Sequence, residues 1–74
     1  MSLIIKPAYG RDYTSKAAAI KDFAEGKDFT VCSGPYAGRY CNIRDVADEG
    51  VVTIRYYKLA RAVVVSSRTG EELT

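Results

Sequence analysis

Three arginines in this chain have tyrosines as close neighbours: Arg11 with Tyr9 and Tyr13, Arg39 with Tyr36 and Tyr40, and Arg55 with Tyr56 and Tyr57. Two kinds of binding chemistry use such sets. A single-stranded nucleic acid is held by cations along its backbone and by rings beneath its bases, each stack contributing ~1–3 kcal/mol. A protein interface takes its hot spots from Tyr and Arg. Either use requires the three clusters to share a face. The plainer reading makes the tyrosines amphipathic core and rim residues, with arginines beside them for solubility.

Catalytic chemistry finds less support. A serine or cysteine nucleophile needs a base, and histidine, the usual one, is absent. Asp45, Asp48 and Glu49 cluster, but on a short polar stretch that reads as a solvated face. The loop Ser33-Gly34-Pro35-Tyr36-Ala37-Gly38-Arg39 lacks the Gly-Lys-Ser/Thr ending of a phosphate loop, and Pro35 removes a backbone donor. It reads as a turn. Cys32 and Cys41 are expected to be reduced packing residues, because without histidine they cannot complete a zinc site alone. These residues predict a non-catalytic protein with no cofactor, no metal and no small-molecule substrate. A protein-interaction module, with a protein partner or self-association, ranks first; single-stranded nucleic-acid binding is the alternative.

The elements that must place these residues are anchored on 51–66. Val, Ile, Thr and Tyr dominate both halves of that stretch, which predicts a hairpin with strands near 51–57 and 61–66 and a turn at Lys58-Leu59-Ala60. Alternation sets Val52, Ile54 and Tyr56 on one face and Val51, Thr53, Arg55 and Tyr57 on the other. One of the adjacent Tyr56 and Tyr57 should therefore stay outside the core. Earlier in the chain, 2–6 reads as a strand ended by Pro7. Residues 16–25 read as a helix capped by Thr14 or Ser15 and closed by Gly26, with Ala17, Ile20, Phe23 and Ala24 as its apolar stripe. Residues 28–33 read as a strand, 39–41 as a brief edge strand, and 42–49 as a second helix with Asn42 as N-cap. The order β-α-β-α-β-β predicts an α+β fold: a small, mostly antiparallel sheet with one main helix on one face. The second helix and loops, or a partner, would cover the other face.

The chain has 74 residues, 47% of them hydrophobic and 27% charged, enough for one packed domain near the lower size limit. That domain is expected over 1–66, with 67–74 as a loose polar tail. Residues 1–66 hold ten Lys and Arg against seven Asp and Glu, well short of a strongly basic nucleic-acid domain. No apolar run approaches the ~18 residues of a membrane span, and the first residues lack the pattern of a secretory signal. A cytoplasmic location with no membrane association is expected.

At Pro7-Ala8-Tyr9-Gly10-Arg11-Asp12-Tyr13, Gly26-Lys27-Asp28-Phe29 and Ile54-Arg55-Tyr56 the chain resembles small uncharacterised proteins encoded by bacteriophages and prophages. The similarity runs over most of residues 5–65. It implies a short accessory protein in a bacterial host cytoplasm and assigns no residue a role.

Overall fold

Residues 3–73 are described by the structure, a computed structural model; the expected strand start at Ser2 and tail end at Thr74 lie outside them. The fold is α+β. Strands β1 (Leu3–Pro7), β2 (Phe29–Val31), β3 (Tyr40–Cys41), β4 (Val51–Tyr56) and β5 (Arg61–Ser66) form one sheet in the order β3-β2-β1-β4-β5. Three pairings are antiparallel, and the central one, β1 with β4, is parallel. The sheet is therefore mixed, and its middle strand comes from the beginning of the chain.

Helix α1 (Lys16–Ala24) starts where Ser15 accepts the N–H of Ala18 at 3.2 Å. It ends in a Schellman motif: the N–H of Lys27 reaches the Asp22 carbonyl and that of Gly26 reaches the Phe23 carbonyl, both at 3.1 Å. Gly26 takes φ +87°, the left-handed conformation this closure demands. The buried residues of α1 are Ala19 and Phe23, with Ile20 half-buried. Ala17 and Ala24, expected on the core stripe, are exposed, so the packed face is turned toward Ala19.

Beneath α1 lie Ile5, Phe29, Val31, Cys41, Val52, Ile54, Tyr56, Val63 and Val65, one face of all five strands. The alternation on β4 places its buried residues there as expected. Phe23 and Phe29 meet edge-on with ring centroids 5.9 Å apart. Each fully buried aliphatic or aromatic side chain in such a core contributes about 1.5–3 kcal/mol.

Two expectations need correction. Residues 42–49 do not form an α-helix. The Asn42 side chain accepts from the N–H of Arg44 and Asp45, and Asp45 accepts the N–H of Asn42, as a cap would. Val46 then leaves the helical region at φ −109°, and only a 3₁₀ turn, Ala47–Glu49, follows. Nor are residues 67–73 loose. Ser67 and Gly70 are buried, the N–H of Ser66 donates to Glu71 at 2.8 Å, and that of Leu73 donates to Val64 at 2.8 Å. The segment runs along the outer edge of β5, where Val65 bridges Glu72 and Lys16 of α1 reaches Glu72 at 2.9 Å.

The β4–β5 connection is strained. Tyr57, Lys58 and Leu59 all have positive φ, at 53°, 56° and 64°. A non-glycine residue there costs roughly 1–2 kcal/mol. Leu59→Gly is expected to stabilise the protein by about 0.5–1 kcal/mol, the relieved strain exceeding the entropy cost of glycine. A thermal melt checks this: Tm should rise by a few degrees, and a lowered Tm would mean that the Leu59 side chain contributes more by packing than its backbone loses.

Candidate functional site

Among the described residues, no α-helix covers the face of the sheet opposite α1. Its residues follow from the strand registers. Lys6 pairs with Thr30, Thr30 with Tyr40, and Arg55 with Ala62. The parallel register sets Ile5 opposite Ile54, and one step further sets Lys6 opposite Arg55. The row therefore reads Tyr40–Thr30–Lys6–Arg55–Ala62 across all five strands. A second row, Ile4–Thr53–Val64, lies below it. None of these residues is acidic.

Like charges on neighbouring strands destabilise a sheet. Among the described residues the ion pairs are Arg11–Asp22 and Lys16–Glu72, and neither relieves Lys6 or Arg55. Arg55 donates to the Leu59 carbonyl at 2.6 Å, which holds its guanidinium but leaves its charge uncompensated. Cys32 lies on the same face, its residue exposed and its sulfur partly covered. Its burial pushes the thiol above its ordinary value, while Lys6 and Arg55 pull it down.

Above this row two loops rise. In the first, the N–H of Arg11 reaches the Ala8 carbonyl at 3.1 Å, and Tyr9 and Gly10 between them have φ of 57° and 73°. Positive φ at both central residues is the pattern of a type I′ turn. The second loop is the strained tip, residues 57–60. They are joined by the N–H of Tyr57 donating to the Tyr13 carbonyl at 2.9 Å and that of Lys58 to an Asp12 carboxylate oxygen at 3.0 Å. Between loops and sheet lies a concavity of about 420 Å³, lined by Lys6, Thr30 and Tyr40 below and by Tyr9, Arg11, Asp12, Lys58 and Leu59 around it. The rings of Tyr9 and Tyr40 form one wall, with centroids 4.8 Å apart.

No protein family, curated protein or solved structure matches the chain. The roles of its residues rest on geometry.

That geometry separates the nine tyrosines and arginines singled out in the sequence. Tyr9, Tyr40 and Arg55 gather on the open face, and Tyr57 is exposed at the strained tip with Arg61 over its ring at 5.4 Å. Tyr56 is buried in the core, so the adjacent pair divides as the alternation predicts. Tyr13, expected in the interaction set, is also buried. It donates to Asp22 at 2.7 Å, and burial followed by that bond raises its hydroxyl well above the ordinary value. Arg11 holds structure: it donates to the Asp28 carbonyl, lies 5.6 Å from the Phe29 ring centroid, and stands 4.0 Å from Asp22. Tyr36 and Arg39 pair with each other, at 5.5 Å, around a second pocket of about 220 Å³, lined also by Leu3 and by the buried Val31 and Val46, with Tyr40 lining both pockets. Leu3 and Val31 belong to the α1 side of the sheet, so the three clusters do not form one surface.

The sequence reading missed Lys6 and Lys58. Lys6 is a lone lysine in an apolar run, and only the β1–β4 register sets it beside Arg55; Lys58, three residues after Arg55, reads in the sequence only as part of the turn. Cys32 differs from expectation because it points to the uncovered face. Cys41 is buried, and that burial, with smaller effects from Asp45 and Asp28, pushes its thiol up to about 11. Among the described residues no group of His, Cys, Asp and Glu could hold a metal ion, and no helix is long and apolar enough to cross a membrane.

Proposed function

We propose that the protein is a non-catalytic binding module that takes a single-stranded nucleic acid on the uncovered face of its sheet. The observation that carries this reading is the Lys6–Arg55 pair. Two adjacent cations without a carboxylate partner weaken the isolated sheet and favour an anionic chain laid across it. Tyr40 and Tyr9, exposed to 58% and 66%, offer a platform for a base at the end of the same row. A protein partner fits this centre less well, because lysine is depleted from interface cores. Such a partner is nonetheless the competing outcome, since Arg55, Tyr57 and the half-buried Ile4 and Val64 would then supply the contact.

Fluorescence anisotropy with a labelled 12-nucleotide single strand tests the proposal. With three phosphates neutralised by Lys6, Arg55 and Lys58, affinity should fall about 20-fold between 50 and 200 mM salt. Lys6→Gln with Arg55→Gln should abolish most of the binding while the circular dichroism spectrum is unchanged. A protein partner retained from a bacterial lysate after nuclease, with no oligonucleotide binding, would put the protein-interaction reading in its place.

A further inference from the structure

We infer that the pocket of about 220 Å³ beside β3 is a base-reading pocket, which selects guanine from a strand bound on the open face. The inference rests on the open-face reading above and adds the identity of the base. Tyr40 lines this pocket as well as the concavity above the Lys6 row, so one residue of β3 joins the two. β3 is also the last strand on that side of the sheet. A nucleic acid that leaves the row past Tyr40 has no further strand to cross, and it can turn one base over the edge into the pocket. The pocket offers what one unstacked base requires. Its floor is apolar, with Val31, Cys41 and Val46 each no more than 5% exposed. Tyr36 is open to solvent, and the Arg39 guanidinium lies over its ring. Aromatic rings and guanidinium planes are the surfaces on which splayed bases stack. The volume falls below the roughly 300–1,000 Å³ of sites for drug-sized ligands, which suits one base and not a larger cofactor.

The polar groups choose the base. Arg39 lines the pocket together with Asp45 and Glu49, yet among the described residues it forms no ion pair with either. Opposite charges that share a pocket without closing on each other suit a ligand with acceptors on one edge and donors on another. Guanine is that base. Its O6 and N7 accept from arginine, and its N1–H and 2-amino group form two neighbouring donors that carboxylates accept. No other base sets two neighbouring donor atoms on one edge. The groups that would read guanine are held in place by the backbone. One Asp45 carboxylate oxygen accepts the N–H of Asn42 at 3.0 Å, and the Asn42 side chain accepts the N–H groups of Arg44 and Asp45 in return. The N–H of Glu49 donates to the Val46 carbonyl at 3.0 Å, and the Arg39 carbonyl accepts the N–H of Val31 at 2.8 Å. The capped turn over 42–49 thus brings two carboxylates to a floor that includes its own Val46.

The test uses the full chain, fluorescence anisotropy and labelled 12-nucleotide thymidine strands, either unsubstituted or with one central guanine, hypoxanthine, adenine or cytosine. The guanine strand should bind about tenfold tighter than the unsubstituted one, the scale of one bidentate base contact. Hypoxanthine, which lacks the 2-amino donor, should lose most of that gain. Asp45→Asn combined with Glu49→Gln should erase the preference for guanine while the circular dichroism spectrum is unchanged, since asparagine keeps an oxygen for the Asn42 N–H. Lys21→Gln, which removes an exposed charge on α1, should leave the preference intact. Equal affinity for all strands, or a preference for another base, would overturn the pocket while the open-face reading stands. Failure of every strand to bind would overturn both.

Discussion

Phe23→Ala is expected to destabilise the protein by about 3–5 kcal/mol. Phe23 is fully buried, edge-on to Phe29, and it is the largest side chain by which α1 grips the sheet, with the half-buried Ile20 beside it. A helix of nine residues has little stability of its own, so its formation depends on that grip. A chain of 74 residues has about 4–11 kcal/mol in all, and the variant should sit near its unfolding midpoint in buffer. Urea titration followed by circular dichroism measures the loss. Phe23→Leu, which keeps most of the volume, should retain a clear folded baseline. A midpoint in Phe23→Ala unchanged from the parent would show that α1 is held elsewhere.

Ser67→Ala is expected to cost about 2–4 kcal/mol, more than a conservative change usually does. The Ser67 hydroxyl is fully enclosed, donates to the Ala47 carbonyl at 2.9 Å and accepts the N–H of Gly50 at 3.0 Å. Its own N–H donates to the Gly50 carbonyl at 3.2 Å. Removing the hydroxyl leaves the Gly50 N–H and the Ala47 carbonyl of a part-buried turn before β4 without their partner, each costing about 1–2 kcal/mol, the lower part of the range for unsatisfied groups. The same urea titration applies. A loss below about 0.5 kcal/mol would mean that water replaces the hydroxyl and that the turn is open to solvent.

Ser67 also shows where sequence reasoning stopped. It stands first in a polar stretch with no periodicity, and nothing in its type distinguishes it from a surface serine. The segment that follows is fixed by backbone hydrogen bonds and by Gly70, whose added Cβ would lie 3.0 Å from that of Ala24. Neither kind of constraint leaves a hydrophobic pattern. Alternation did reveal the inner face of β4, because Val52, Ile54 and Tyr56 recur at period two, and Ser15 and Gly26 marked the limits of α1. Asn42 and Asp45 gave a true cap signal without a helix behind it. A cap satisfies one turn, and the residues beyond it decide whether another follows.

The candidate site was half legible. Of the nine residues offered together for interaction, Tyr40, Arg55 and Tyr57 are exposed, whereas Tyr13, Tyr56 and Arg11 carry the same chemistry and spend it inside the fold. A tyrosine with an apolar body and a polar tip serves both purposes, so residue type alone cannot divide them. The pairing of Lys6 with Arg55 depends on a strand register between opposite ends of the sequence, and no local pattern encodes it.

The parallel pairing of β1 with β4 also sets the order in which the chain can assemble. As the protein emerges from the ribosome, β1 appears first and can pair early only with β2. Its other edge must wait until residue 56 has been made, and closing that long loop is slower than folding the local β4–β5 hairpin. Until then the central strand of the finished sheet is an edge strand, with Leu3, Ile4 and Ile5 open to pairing with another chain. A nascent or truncated chain that stops before β4 is thus the species most exposed to aggregation, and synthesis of the last third closes that hazard.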